Sequence, residues 1–93
     1  MRRALHPTTR FLREAKRLAK KDQKLVIALG EVLEQLEEDA FHPSLKTHRL
    51  KGKLDGLWSS SAGYDQRVVF RIAERDGEEV ILLQTLGSHD EVY

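Results

Sequence analysis

Two stretches in the first half of the chain carry apolar residues at helical spacing. In the first, apolar residues from Phe11 to Leu18 recur on one side with basic residues on the other, and Thr8 or Thr9 offers an N-cap. In the second, which Asp22 can cap, glutamates lie opposite an apolar stripe. That stripe comprises Leu25, Val26, Leu29, Val32, Leu33 and Leu36. The pattern predicts two amphipathic helices, and their short connection predicts an antiparallel pair.

The remaining apolar segments have the length and composition of strands. Four are predicted: residues 2–6, 57–60, 67–73 and 79–86. Pro7 ends the first strand, and Asp76-Gly77 is a hairpin turn signal between the last two. Residues 43–53 form a basic loop with at most a short extended piece. The prediction is one α+β domain over residues 1–93, with two N-terminal helices packed on an antiparallel sheet of three or four strands.

Composition restricts the kind of protein this chain can be. With 93 residues, 40% of them apolar and 33% charged, one modest hydrophobic core is expected, and its apolar runs are too short to span a bilayer. Residues 1–7 lack the apolar stretch of a signal peptide, and the absence of cysteine excludes disulfides and a cysteine nucleophile. We therefore expect a cytoplasmic protein with no membrane partner and no cofactor.

The small net charge of +1 hides a strong segregation of charge. Residues 1–30 hold nine Lys or Arg against two acids, residues 31–41 five acids and no base, residues 42–72 six bases against two acids, and residues 73–93 one base against six acids. Basic stretches of this kind can follow a phosphate backbone or bind an acidic protein. The alternative is that these charges lie on solvated helix faces.

Three segments, in order, resemble one known family. Residues 48–59 (HRLKGKLDGLWS), residues 67–70 (RVVF) and residues 87–93 (GSHDEVY) are similar to the active-face loop, the central strand and the C-terminal histidine motif of RelE/ParE toxins, closest to their YafQ-like branch. This resemblance implies the RelE/ParE fold and a toxin of a type II toxin–antitoxin system. It also implies that the protein is an endoribonuclease that cuts messenger RNA without a metal, often on the ribosome. An antitoxin is then expected to neutralise it by forming a hetero-oligomer with it.

The resemblance gives roles to four residues of this chain. In metal-free RNA cleavage a base removes the proton of a ribose 2′-hydroxyl, the oxygen attacks phosphorus, and an acid protonates the departing 5′-oxygen. His89 is the expected general acid and Arg67 the phosphate clamp, whereas His48 is either general base or phosphate ligand. Asp65 would orient a histidine or act as base. Each residue also has a structural interpretation. In this interpretation His89 is a surface or capping histidine, His48 is a loop histidine and Asp65 is a turn residue. Arg67 is then an exposed strand arginine paired with Asp65 or with a glutamate on the next strand.

Further residues are candidates for RNA binding. The basic loop supplies Lys46, Arg49, Lys51 and Lys53, which can hold RNA backbone or remain solvated. Tyr93 either stacks on a base or is a terminal core aromatic, and Trp58 is expected in the core, with a base-stacking platform as the alternative.

One departure from the YafQ-like pattern and two competing functions remain open. The pattern has a further histidine on the strand after the basic loop, where this chain has residues 59–63 (SSSAG). The four histidines also lack a metal-ligand spacing, so no zinc site is expected. The alternatives to a nuclease are a non-enzymatic inhibitor of DNA gyrase, as in the ParE branch, and an RNA- or ribosome-binding module without turnover.

Overall fold

The computed structural model describes all 93 residues, which form three helices and five strands. In chain order the elements are β1 (Ala4–Pro7), α1 (Thr9–Lys21), α2 (Gln23–Glu38), β2 (His48–Arg49), β3 (Trp58–Ala62), β4 (Gln66–Arg75), β5 (Glu78–Ser88) and α3 (His89–Val92). None of the helices has the length and hydrophobicity that crossing a membrane would require.

The two long helices begin and end where polar side chains satisfy their free backbone groups. Thr8 Oγ1 accepts a hydrogen bond from the amide of Phe11 (3.2 Å) at the start of α1. Asp22 serves both helices, because its amide donates to Leu18 O (2.9 Å) and its Oδ1 accepts from the amide of Lys24 (3.0 Å). One residue therefore ends α1 and caps α2, and the predicted pair of helices is confirmed.

The strands form one sheet in the order β1-β5-β4-β3-β2. The predicted α+β fold, with its helices on a largely antiparallel sheet, is confirmed. Two details differ from expectation. The sheet has five strands because a two-residue piece of the basic loop pairs with β3, and it is mixed because β1 pairs parallel with β5. The second feature joins the two ends of the chain, and no local sequence pattern reports a pairing so distant in sequence.

The hydrophobic core lies on one face of the sheet, beneath α1 and α2. On β4 the residues Val68 and Phe70 point into this core, where Phe11, Leu29 and Leu36 of the helices meet them. Side chains alternate along a strand, so Arg67, Val69 and Arg71 lie on the opposite face. The short helix α3 packs against β4 and β5 near the end of that second face.

The loop that precedes β2 is tied to the core through hydroxyl groups. The side chain of Thr47 donates to Ala40 O (2.6 Å) and shares a hydrogen bond with Ser60 Oγ (2.7 Å). His42, one of the two histidines to which no catalytic role was given, caps the turn Pro43–Leu45 by accepting from the amide of Ser44 (3.1 Å). These bonds fix the loop against β3, so that β2 can pair in a defined register.

Candidate active site

Strand register places His48 on the sheet face opposite the helices. His48 pairs with Ser59 on β3, and Ser59 pairs with Val69 on β4. Directly paired residues share a face, and Ser60, one position further on, is turned to the helix side by its bond to Thr47. His48 is exposed, and its Nδ1 lies 3.1 Å from Lys46 O. This is its only side-chain hydrogen bond, which leaves Nε2 without a partner in the structure.

Arg67 lies on the same face as His48, one row of residues nearer the β3–β4 turn. It is flanked by Ser61 on β3 and Gly87 on β5, both too small to cover it. The guanidinium donates to the neighbouring Gln66 O (3.0 Å) and forms no salt bridge, either with Asp65 or with a strand glutamate. The ion-paired interpretation of Arg67 is therefore wrong, and its charge is available to an anion from outside.

The short helix α3 is built to hold a fixed position at the end of β5. The amide of Ser88 donates to Glu91 Oε1 (2.8 Å), and Ser88 Oγ accepts from the amide of Glu91 (3.3 Å). The hydrogen bond from the Ser88 amide, followed by that of the Ser88 hydroxyl with the same carboxylate, holds the pKa of Glu91 below its ordinary value of 4.5, with smaller contributions from Lys21 and Arg17. A Cβ on Gly87 would lie only 3.1 Å from the Cβ of Glu91, so a larger residue there would require α3 to shift by a few tenths of an ångström.

His89 and Tyr93 stand at opposite ends of α3 and contact each other. Their ring centroids are 4.5 Å apart with an interplanar angle of 88°, an edge-to-face contact. The Tyr93 hydroxyl reaches across the sheet and donates to Ser59 Oγ, the cross-strand neighbour of His48. The His89 side chain is 60% exposed, and its Nδ1 lies 3.6 Å from Asp90 Oδ1. His48, Arg67, His89 and Tyr93 are thus brought to one end of one sheet face.

The other predicted site residues lie around this group or away from it. Lys46, which adopts a left-handed conformation (φ 52°), precedes His48, and Lys51 and Lys53 are exposed on the loop after it. Asp65 is exposed in the β3–β4 turn near Arg67 without an ion pair. Lys46, Lys51, Lys53 and Asp65 therefore lie at exposed positions around the site, and we call these four residues the rim.

Arg49 differs from its neighbours in the basic loop. It is paired with Trp58 and lies with it on the helix side of the sheet, its guanidinium carbon 5.5 Å from the centre of the Trp58 ring. Arg49 Nη2 is also 3.8 Å from Asp55 Oδ1. Trp58 packs against the core and edge-on to Phe41 (5.0 Å), as its core interpretation predicts. Arg49 thus has local partners and points away from His48.

Sequence reasoning missed Ser59. It considered the serine-rich stretch of β3 only as the place where a histidine was absent. The available signal was alternation: a strand that turns Trp58 and Ser60 to the core must turn Ser59 and Ser61 to the face of Arg67. What alternation does not reveal is the bond between Ser59 and Tyr93, since α3 had not been predicted.

A concave surface lies beside this face. It is a cleft of about 300 Å³ between the helices and the end of β5, and its lining includes Arg17, Lys21, Leu25, Gln66 and Glu91. The candidate active site itself is open, as a surface that meets an extended polymer would be. No three His, Asp or Glu side chains cluster as metal ligands would.

Comparison with known proteins identifies relatives over the whole domain. The model of the family described as "Bacterial toxin of type II toxin-antitoxin system, YafQ" matches residues 3–93. A direct comparison with curated proteins finds no significant match.

Solved structures share the fold at low sequence identity. A YoeB/ParE toxin from Agrobacterium tumefaciens superposes with a TM-score of 0.78 at 20% identity, covering 92% of this chain and 98% of that one. YafQ from E. coli gives a TM-score of 0.76 at 15% identity, covering 98% of both chains. A chain of the E. coli DinJ-YafQ toxin-antitoxin complex gives 0.74 at 15% identity, covering 100% of this chain and 99% of that one.

Proposed function

The chain belongs to the YafQ family of toxins of bacterial type II toxin–antitoxin systems, and from this premise we propose that it is an endoribonuclease that cleaves messenger RNA without a metal ion. The observation that carries the proposal is an arginine without an ion pair, Arg67, on the same sheet face as the two histidines His48 and His89. A protein that only binds a partner has no need for two exposed titratable groups beside an unpaired guanidinium. We expect the ribosome to be the place where the enzyme meets its substrate.

The proposed reaction assigns one step to each of the three residues. His48 accepts the proton of a ribose 2′-hydroxyl, and the oxygen attacks the adjacent phosphorus. Arg67 donates hydrogen bonds to the phosphoryl oxygens, on which negative charge grows during the attack. His89 protonates the 5′-oxygen as the P–O5′ bond breaks. The products are a 2′,3′-cyclic phosphate and a 5′-hydroxyl, so no water, metal or cofactor takes part in the first step.

The residues of the rim have supporting roles in this proposal. Lys46, Lys51 and Lys53 follow the backbone of the RNA strand across the open face, and Asp65, exposed in the β3–β4 turn, orients a histidine once the substrate is bound. Arg49 is left out of the binding surface, because it points to the other side of β2 and already contacts Trp58 and Asp55.

The test is cleavage of a defined messenger RNA by the purified chain, with and without ribosomes and with and without excess chelator. We expect cutting that persists in chelator and leaves 2′,3′-cyclic phosphate or 3′-phosphate ends. Loss of cutting in chelator, restored by a divalent ion, would contradict the metal-free mechanism. Binding of RNA or ribosomes without cleavage would favour a binding module. Inhibition of DNA gyrase with neither binding nor cleavage of RNA would favour the ParE-like alternative.

We further propose that an antitoxin with acidic segments binds this toxin and forms a hetero-oligomer with it. Of the six Lys and Arg residues of α1, only Arg10 forms a salt bridge, 3.8 Å from Glu14. An acidic segment that folds on binding would complement this surface. Solved structures of relatives include the DinJ-YafQ complex of E. coli and the YoeB-YefM complex of Staphylococcus aureus.

The antitoxin proposal is tested by co-expression with the adjacent gene and purification at low salt. We expect the two proteins to co-elute and the complex to dissociate more readily as salt is raised. Failure to co-elute at low salt would remove this part of the proposal and leave the nuclease assay unaffected.

A further inference from the structure

A single side-chain hydrogen bond joins the aromatic residue Tyr93 to strand β3. The Tyr93 hydroxyl donates to Ser59 Oγ, and Ser59 is fully buried in β3. The hydroxyl of Ser59 has no other hydrogen-bond partner among the side chains, whereas its neighbour Ser60 is held by Thr47. A buried hydroxyl needs a partner, and here Tyr93 supplies it from a different element.

The helix that carries His89 cannot hold this histidine in place by itself. It comprises four residues, one turn, and an isolated turn of helix is unstable in water. The capping box of Ser88 and Glu91 fixes where α3 begins. The bond from Tyr93 to Ser59 fixes where α3 ends. Between these anchors, the edge-to-face contact at 4.5 Å restricts the orientation of the His89 ring.

We propose that Ser59 and Tyr93 are positioning residues, and that the bond between their hydroxyl groups holds the imidazole of His89 in the orientation needed for proton transfer. Neither residue need touch the RNA. This inference rests on the proposed nuclease function and adds to it the residues that position its general acid. It also replaces the two earlier interpretations of Tyr93, as a base-stacking residue or as a core aromatic, with one in which its ring orients a histidine.

Geometry argues that the bond serves orientation more than folding. Tyr93 stays 41% exposed, and it lies outside the hydrophobic core beneath α1 and α2. The bond joins the last turn of the chain to the sheet at one point. Its loss leaves β3 paired with β4 along its whole length and with β2 at Trp58 and Ser59. Removing the hydroxyl should therefore release α3 and His89 without unfolding the domain.

The test uses Tyr93→Phe, Ser59→Ala and the double variant, with Ser61→Ala as matched control. Ser61 lies on the same strand and face but makes no bond to Tyr93. In single-turnover cleavage at saturating RNA we expect each single variant to lose about 10- to 100-fold in rate, the range that small misplacements of a reacting group cause, with unchanged RNA affinity. Because both changes break one bond, the double variant should lose no more than either single one. Ser61→Ala should keep the full rate.

A second measurement does not depend on cleavage. In an NMR spectrum of the intact chain, the ring protons of His89 feel the Tyr93 ring, and their shifts should move toward those of a free histidine in Tyr93→Phe and in Ser59→Ala. Thermal melting confirms that the variants are folded. Full cleavage rates, losses that multiply in the double variant, or unmoved His89 shifts would each overturn the positioning role. Moved shifts in a chain that cleaves no RNA would uphold the positioning and refute the nuclease.

Discussion

Replacing Arg67 by alanine separates the candidate catalytic group from the fold more cleanly than any other substitution at this site. The guanidinium forms no salt bridge and donates only to a neighbouring backbone carbonyl, Gln66 O. Its removal therefore leaves no buried charge without a partner, which is the usual reason that deleting an arginine destabilises a protein. We expect the free energy of unfolding of Arg67→Ala to stay within about 0.5 kcal/mol of wild type.

The expected effect on cleavage is much larger than the effect on stability. Removing one donor that stabilises charge in a transition state typically costs about 10² to 10³ in rate, or about 2.7 to 4 kcal/mol. Binding loses far less, because one cation contributes about one unit to the dependence of the logarithm of affinity on the logarithm of salt concentration. The loss should therefore appear in the single-turnover rate at saturating RNA.

Arg71→Ala is the matched control for this prediction. Arg71 lies on the same strand and the same face as Arg67, but it pairs with Leu82, away from the end of the sheet where α3 packs. Both changes remove one positive charge, so equal losses of rate would show that Arg67 acts only through the overall field of the protein. A well-folded Arg67→Ala chain that cleaves at the wild-type rate would refute its role as phosphate clamp.

Three further predictions concern other parts of the site. His89→Ala should lower the single-turnover rate by about 10² to 10⁴-fold with little change in RNA affinity. Full activity of this variant in cleavage and growth arrest would refute the role of His89 as general acid. Lys51→Ala should weaken RNA binding and reduce its salt slope by about one unit, whereas Arg49→Ala, whose guanidinium contacts Trp58, should leave that slope unchanged. The lowered pKa of Glu91 means that its carboxylate stabilises α3 above pH 4.5 and loses this effect as pH falls through the folded-state value. The amide resonance of Ser88 should titrate with a midpoint below 4.5 in wild type and not at all in Glu91→Gln, and a midpoint at or above 4.5 would contradict the capping bond.

Features governed by short-range physics could be predicted from the sequence. Asp22, and Thr8 or Thr9, are predictable as helix caps because a cap and the amide that donates to it lie within three residues of each other, and the structure shows Thr8 in this role. The hairpin through Asp76-Gly77 followed from a residue pair that suits positive φ, which both residues adopt. Each of these signals is complete within a few positions, so a single sequence contains it.

Features that depend on distant contacts could not be predicted in this way. The parallel pairing of β1 with β5 joins Ala4 to Val80, and the sequence around either residue is equally compatible with an edge strand paired elsewhere. The same holds for Arg49, which belongs by composition to the basic loop but is directed to Trp58 by the register of β2. The charge pattern of the sequence therefore predicts which segment lies beside the candidate site. The register of the strands determines which cations of that segment face it.

The C-terminal motif shows why a resemblance can identify a site while leaving its construction unexplained. Within residues 87–93, resemblance singles out His89, yet three of its neighbours have structural tasks that serve this histidine. Gly87 leaves room for α3, Glu91 caps its first turn, and Tyr93 ties its end to Ser59. A histidine at the same position without these contacts would be a mobile side chain on a frayed tail, and proton transfer requires a fixed distance to the leaving oxygen. In this proposal the other residues of the motif position the imidazole of His89, and they do not act as independent catalytic groups.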